Sequence, residues 1–435
     1  MSFSRVILTA GLTAALTAGV IAALLLNAAV AAADTAPADP TPLPLPVPDS
    51  SQATPETDPT QSVNESLEKR AKNYWEEHFI DPEDGAFDIS QFLATRSGFL
   101  AGPIILTEPT LGYGGGASLL FLQPREDKGE EGYRRPDITL GGGLATENGT
   151  WAGFIGDLRH WRDGQVRTVV GGMSGRVRLD FFGLGPERIT RGKPIGYQLD
   201  IHGGRAGAQY RITDTNIWVG ASYQYAVIDA TFDAGSDLNF LPDIITDERK
   251  TRLSGLLFRA TYDSRNSIFT PTRGHYAQIE LATGFEALGG STTYQILDFV
   301  GITYREISDR ISLGLRLDAE KSLGSPPFYL EPALAFEGLP AMRYQGRTVI
   351  QGQGQATWRF WKRLCLVGFM GGGGAWKKDA LFNKAKTAYA GGAGLRYELA
   401  RRFKLSYGID YAWGPDGGIF YVVVGSAWKF PGSGI

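Results

Sequence analysis

Residues 350–360 read IQGQGQATWRF and alternate without error. Gln351, Gln353, Gln355, Thr357 and Arg359 fall on one side, and Ile350, Gly352, Gly354, Ala356, Trp358 and Phe360 on the other. Successive side chains of a strand point to opposite faces, so this is one strand with a polar face and an aromatic-tipped apolar face. Glutamines opposite Trp and Phe suit a wall with water on one side and lipid on the other. A loop rich in Pro and Gly precedes the strand, LEPALAFEGLPAMRYQGRT over 330–348, and a glycine-rich run reaches Trp376.

The pattern recurs. In Arg310–Glu320, Ile311, Leu313, Leu315, Leu317 and Ala319 oppose Arg310, Ser312, Gly314, Arg316, Asp318 and Glu320. In Arg402–Trp413, Phe403, Leu405, Tyr407, Ile409, Tyr411 and Trp413 oppose Arg402, Lys404, Ser406, Gly408, Asp410 and Ala412. Each run has about ten residues, the length a tilted strand needs to cross a bilayer. A soluble sandwich with one wet face is the competing reading, but it seldom carries so many consecutive long strands. The fold expected is all-β: a transmembrane antiparallel barrel of about sixteen strands with a short amino-terminal helix.

Those strands are expected near 98–106, 111–122, 136–145, 150–161, 165–180, 194–212, 216–230, 251–262, 274–287, 291–304, 310–322, 348–361, 363–375, 387–400, 402–413 and 418–430. Of 57 glycines only three, Gly11, Gly19 and Gly85, precede residue 97, which marks where the β region begins. Glu147-Asn148-Gly149 and Asp163-Gly164 carry hairpin chemistry. Longer connections near 231–250 and 323–347 alternate with tight turns, the asymmetry of outer-membrane barrels.

Upstream, residues 1–33 read as a secretory signal: Arg5, an apolar run over Val6–Leu26, and small residues Ala31-Ala32-Ala33 before Asp34. An uncleaved anchor is the alternative reading of that run. Residues 34–61 hold eight prolines and read as an unfolded linker. Ser62-Val63-Asn64-Glu65 fits a capping box, and Leu67, Ala71, Tyr74, Trp75 and His78 continue at helical spacing until Asp81-Pro82. That helix, in a segment spanning 62–97, is either a tether on the periplasmic side or a plug. Asp81, Glu83, Asp84 and Asp88 cluster around a turn. Gly85 falls fifth from Asp81 instead of sixth, so a calcium loop fails and a solvated turn is expected.

Composition narrows the function. A net charge of −3 gives no basic field for nucleic acid. The single cysteine, Cys365, excludes an internal disulfide. His78, His160, His202 and His275 lack metal-ligand spacing, and no Gly-x-Ser-x-Gly elbow is present. Gly112–Gly116 precedes a β-run, not a helix, so it is no phosphate loop, and Gly371–Gly374 reads as room for an inserted loop against the wall. No cofactor, metal or catalytic residue is expected.

Two stretches resemble the bacterial surface antigen superfamily, the BamA/TamA-type outer-membrane barrels. Asp263-Ser264-Arg265-Asn266, with Pro271 and Gly274, is similar to the family turn that precedes a strand. Met342-Arg343-Tyr344, with Gly346 and Arg347, resembles the Arg-Gly-aromatic tip of the loop that folds back into the lumen. Pro103–Gly116 and Phe182-Gly183-Leu184-Gly185 look like openings and turns of small members. The resemblance covers roughly residues 80–430 and implies eleven strands before the loop and five after it.

It also implies a polar lumen with a loop lid, protein insertion or translocation in the outer membrane of a Gram-negative bacterium, and periplasmic clients or chaperones as partners. A stand-alone pore or structural barrel is the alternative, and an outer-membrane hydrolase a remoter one. The family's client-recruiting (POTRA) domains find no counterpart in residues 34–97. Acids that hold the tip arginine in the family fall here at Thr357 and Gly371. Lumen partners for Arg343 are therefore sought in Asp410 first, then Asp318, with Glu280 and Glu320 also available. Phe420, Val422, Val424, Trp428 and Phe430 read as the outward assembly signal.

Overall fold

The structure is a computed structural model that describes residues 72–91, 98–107, 110–123, 137–182, 195–213, 215–232, 250–267, 270–377, 385–402, 404–426 and 428. The signal, the linker and the capping box lie outside the described residues.

Sixteen strands follow in order: β1 (Gly98–Leu106), β2 (Gly114–Gln123), β3 (Asp137–Thr146), β4 (Trp151–Trp161), β5 (Val166–Phe181), β6 (Ile195–Arg211), β7 (Ile217–Phe232), β8 (Lys250–Asp263), β9 (Gly274–Gly284), β10 (Tyr294–Ser308), β11 (Ile311–Gly324), β12 (Thr348–Trp361), β13 (Leu364–Trp376), β14 (Lys386–Ala400), β15 (Leu405–Gly414) and β16 (Gly417–Val424). Each pairs antiparallel with the next, in sequence order, in one sheet that curls into a nearly closed barrel. Among the described residues no helix is long and apolar enough to cross a membrane.

Alternation sets the register. On β11, Leu313, Leu315 and Leu317 are exposed, whereas Arg316, Asp318 and Glu320 are buried. Its partner β12 matches Arg316 to Gln353 and Asp318 to Gln351, so polar residues meet on the inner face. Trp358, Phe360, Ile409, Tyr411 and Trp413 all face outward. This is the pattern of a lipid-facing wall around a polar interior.

That interior is not polar throughout. Near its middle, Arg259–Glu280, Arg316–Asp318 and Arg396–Asp410 form buried ion pairs. Toward one end, Val177, Leu179 and Phe181 of β5 and Tyr197, Leu199 and Ile201 of β6 form an apolar cluster with Phe328, Leu330 and Met342. The loop between β11 and β12 supplies those last three. A uniformly polar lumen is thus corrected: this loop covers the inner wall at its end of the barrel, and apolar contact holds it there.

Several strand ends differ from the sequence reading, each for a local reason. Strand β9 stops at Gly284 because residues 286–288 form a single 3-10 turn closed by Gly289 in the left-handed region. Strand β15 starts only at Leu405, after a turn with Lys404 at φ 50°. Strand β16 ends at Val424, where Gly425, at φ 70°, turns the chain inward. Trp428 then lies buried against Tyr304, with ring centroids 5.6 Å apart, and over Gly314, whose lack of a side chain leaves it space. Trp428 is therefore no outward assembly signal; Phe430 lies outside the described residues.

The acidic turn is also corrected. Residues 72–79 form a short helix, and Ile80 bridges to Phe87 around Gly85. Asp81, Asp84 and Asp88 are not solvated; all three bind the guanidinium of Arg363, whose side chain is 2% exposed.

Candidate functional site

Three features could act on a partner: the loop between β11 and β12, the junction of β1 with β16, and the amino-terminal segment.

The loop is fixed at many points. Gln351 binds it twice, accepting from the N–H of Ala335 at 2.8 Å and donating to its carbonyl at 3.2 Å. The same amide donates to Asp318 at 3.3 Å, which ties the loop to the β11 ion pair. Phe336 and Leu334 lie on Gly371 and Gly373, where an added Cβ would come within 3.1 and 2.6 Å of them. At Gly371 this chain thus offers space for an aromatic ring. Gly338 donates to the Tyr421 hydroxyl of β16 at 3.0 Å. Gly346 runs against the backbone of Trp376, where an added Cβ would meet the Trp376 carbonyl at 2.6 Å, so a side chain there would lift the loop.

Arg343 does not reach Asp410 or Asp318. Asp410 accepts from Arg396 at 2.5 Å, Asp318 from Arg316 at 2.7 Å, and Glu280 from Arg259 at 2.7 Å. Each acid is held by an arginine on its own or the adjacent strand. Arg343 instead pairs with Asp416, in the β15–β16 turn, at 3.0 Å. Tyr344 donates to the same carboxylate at 3.1 Å, and Arg343 stacks over Phe182 at 3.9 Å. Lys386 donates to the Arg343 carbonyl at 2.9 Å. Met342 sits at φ 60°, a left-handed conformation that its burial in the β5–β6 cluster sustains. Glu331 is buried at the loop base beside Ser322, with Arg347 at 3.4 Å; burial raises its carboxyl above the usual range despite both partners.

The turn that resembles the family motif is locally braced. Arg265 reaches both Asp263 oxygens at 2.8 Å and lies over the Tyr276 ring at 4.6 Å. Pro271 is buried beside Thr272, whose N–H donates to Asn266 at 3.1 Å. Gly274 begins β9 at φ 103°, and an added Cβ would clash with the Ser264 carbonyl at 2.4 Å. From this turn Thr270 donates to the carbonyl of Lys404, so the β8–β9 and β14–β15 turns meet across the mouth opposite the loop.

The seam differs from every other junction. Fifteen neighbouring strand pairs carry ladders, from β1–β2 to β15–β16. Among the described residues no backbone hydrogen bond joins β1 to β16, although the two strands approach one another. They are also short, at nine and eight residues against seventeen in β6. Both therefore present unpaired donors and acceptors along an edge.

The sequence singles out the loop, its tip and the turn motif as candidates. It misses Asp416, which sits in a Gly-Pro-Asp-Gly turn that reads only as a turn, and it misses Arg363, which belongs to a two-residue turn.

A family model described as the Omp85 superfamily domain matches residues 160–331, from the end of β4 into the inserted loop. The chain is similar in structure to CdiB from Escherichia coli, at 12% identity and a TM-score of 0.55, covering 76% of this chain and 63% of that one. It is similar also to BamA from Haemophilus ducreyi lacking POTRA domains 1-3, at 11% identity and a TM-score of 0.52, covering 83% of this chain and 78% of that one. At such identities the likeness shows the fold. No curated protein matches the chain in sequence. Residues 160–331 are thus similar to the Omp85 superfamily domain, and the sixteen-stranded barrel that holds them is similar in fold to CdiB and BamA.

Proposed function

We propose that the protein resides in the outer membrane of a Gram-negative bacterium and inserts or translocates protein clients, taking up an extended client segment at the β1–β16 seam. One observation carries this reading: the seam is the one neighbour junction without a ladder among the described residues. An open sheet edge templates another strand through main-chain hydrogen bonds, with no covalent chemistry required. The inserted loop acts as a lid on the lumen, latched by Arg343 to Asp416 and therefore to the hairpin that ends in β16. Partners are outer-membrane lipid and unfolded periplasmic client proteins. A stand-alone pore is the second reading, favoured by the polar inner face on which Arg316 meets Gln353 and Asp318 meets Gln351.

The test uses the full chain reconstituted in liposomes and supplied with an unfolded outer-membrane barrel as client. Photo-cross-linkers at Ile105 on β1 and Phe420 on β16, both outward and exposed, should capture the client, while one at Leu315 should not. Client folding should also quicken over empty liposomes. Equal capture at all three positions with no gain in folding would sink the insertion reading.

A further inference from the structure

The segment before β1 does more than end the barrel. Phe79 and Ile89 belong to one buried apolar cluster that contains Ile138 and Leu140 of β3 and Leu158 of β4. That same cluster contains Leu399, Ala400 and Leu405 of β14 and β15. These two walls flank the seam, with β16, β1 and β2 between them in the sheet order. Polar contacts repeat the geometry. Ile89 donates to the Leu399 carbonyl at 3.0 Å, and Arg401 and Arg402 donate to Asp88 and Ser90 at 3.1 and 3.0 Å. Tyr397 donates to the Phe87 carbonyl at 2.8 Å. Arg363, from the β12–β13 turn, is enclosed by Asp81, Asp84 and Asp88. Only residues 92–97 separate this segment from β1.

We infer that residues 79–91 are a strap that holds the β1–β16 seam shut from the turn side, with the Arg363 cage as its fastening. Strand β1 is tied through six residues to a segment that grips β14, β15 and the β12–β13 turn. Drawing β1 away from β16 requires that grip to slip or break. An arginine at 2% exposure among three carboxylates is a strong grip, because parting them leaves charges buried without partners. The seam lacks its own ladder, so the strap supplies what the ladder does elsewhere. On the proposed function, the strap is an autoinhibitory contact that a client must displace; that clause alone rests on the insertion reading.

Hydrogen exchange followed by mass spectrometry on the full chain in liposomes tests this without any client. In Arg363→Gln, amides of 98–106 and 417–424 should exchange at least tenfold faster than in the parent, while those of β5–β7 should keep their rates. A triple variant, Asp81→Asn, Asp84→Asn and Asp88→Asn, should do the same and serves if Arg363→Gln gives no heat-modifiable barrel. Loss of protection over 79–91 with unchanged exchange at β1 and β16 would overturn the strap, as would full protection of 79–91 in both variants. If the seam quickens but client folding does not, the strap stands and the insertion reading fails.

Discussion

At the scale of the residue, buried charge decides the behaviour of both ends of the barrel, and with opposite sign. Asp84 is held below the usual carboxylate range chiefly by the hydrogen bond from Arg363. Asp88 is pushed up by burial, but hydrogen bonds from Ser90, Arg363 and Arg401 outweigh this and leave it lowered. Carboxylates with lowered folded values stabilise above their unfolded pKa, and that contribution is lost as pH falls through the folded values. Asp81 and Glu83 face the same guanidinium groups of Arg363 and Arg401, and Lys362 reaches the Asp84 carbonyl. The strap should therefore loosen below about pH 4. Glu331 runs the other way. Its raised value favours the protonated form, so loop docking is strongest below the unfolded pKa and weakens as pH rises through the folded one. Exchange at pH 3.5 and 7, corrected for intrinsic rates, should show 79–91 losing protection in acid while 328–336 gains it. Parallel change at both would contradict this assignment. A second prediction concerns Arg343. Arg343→Ala and Asp416→Ala should each raise protease cleavage in the loop, and the double variant should add little, because both break one contact. The pair is partly exposed, so a coupling of about 0.5–1 kcal/mol is expected. Full additivity would show that the two residues act apart.

At the scale of the element, alternation makes a sharp prediction. Leu315→Arg on β11 and Ile409→Arg on β15 place a charge on the lipid face, at a cost of about 2–4 kcal/mol near mid-bilayer. Gln353→Arg, on the inner face of β12, should cost far less. Urea titration of the folded band in liposomes separates the cases, and equal losses in all three would mean the faces are misassigned. The same alternation is why the strands were legible in the sequence: period two is a local property, and a lipid-facing wall repeats it sixteen times. Strand ends were less legible. What stops β16 is Gly425 together with a tryptophan that finds Tyr304 and Gly314 across the interior, and no neighbouring residue announces that contact. The candidate site divides along the same line. The loop and its tip could be read because Pro, Gly and the Arg343-Tyr344 pair are contiguous. The partner of Arg343 could not, because inner-face acids such as Asp410 already belong to arginines on the adjacent wall, and that pairing depends on register. The strap was misread for the same reason: its arginine lies 275 residues further along the chain from Asp88.

At the scale of the whole molecule, described residues project toward the interior at both mouths of the barrel, and this bears on whether the lumen conducts. On one side the β11–β12 loop packs against β5, β6 and β13 and bonds to β16. On the other, the β8–β9 turn meets the β14–β15 turn, and Trp428 folds inward toward β10 and β11. Between them lie three buried ion pairs whose charges cancel locally. The intact protein should therefore show small, infrequent openings in a planar bilayer. Replacing 329–345 with a short Gly-Ser linker should increase them only in part, because the turn-side cover remains. Removing the loop and also truncating after Gly425 should yield a steady conductance. The variants must first run as heat-modifiable bands, so that a leaky unfolded chain is not counted as a channel. A large, stable conductance in the parent protein would show that the covers leave a continuous water path, and the pore reading would then gain over insertion at the seam.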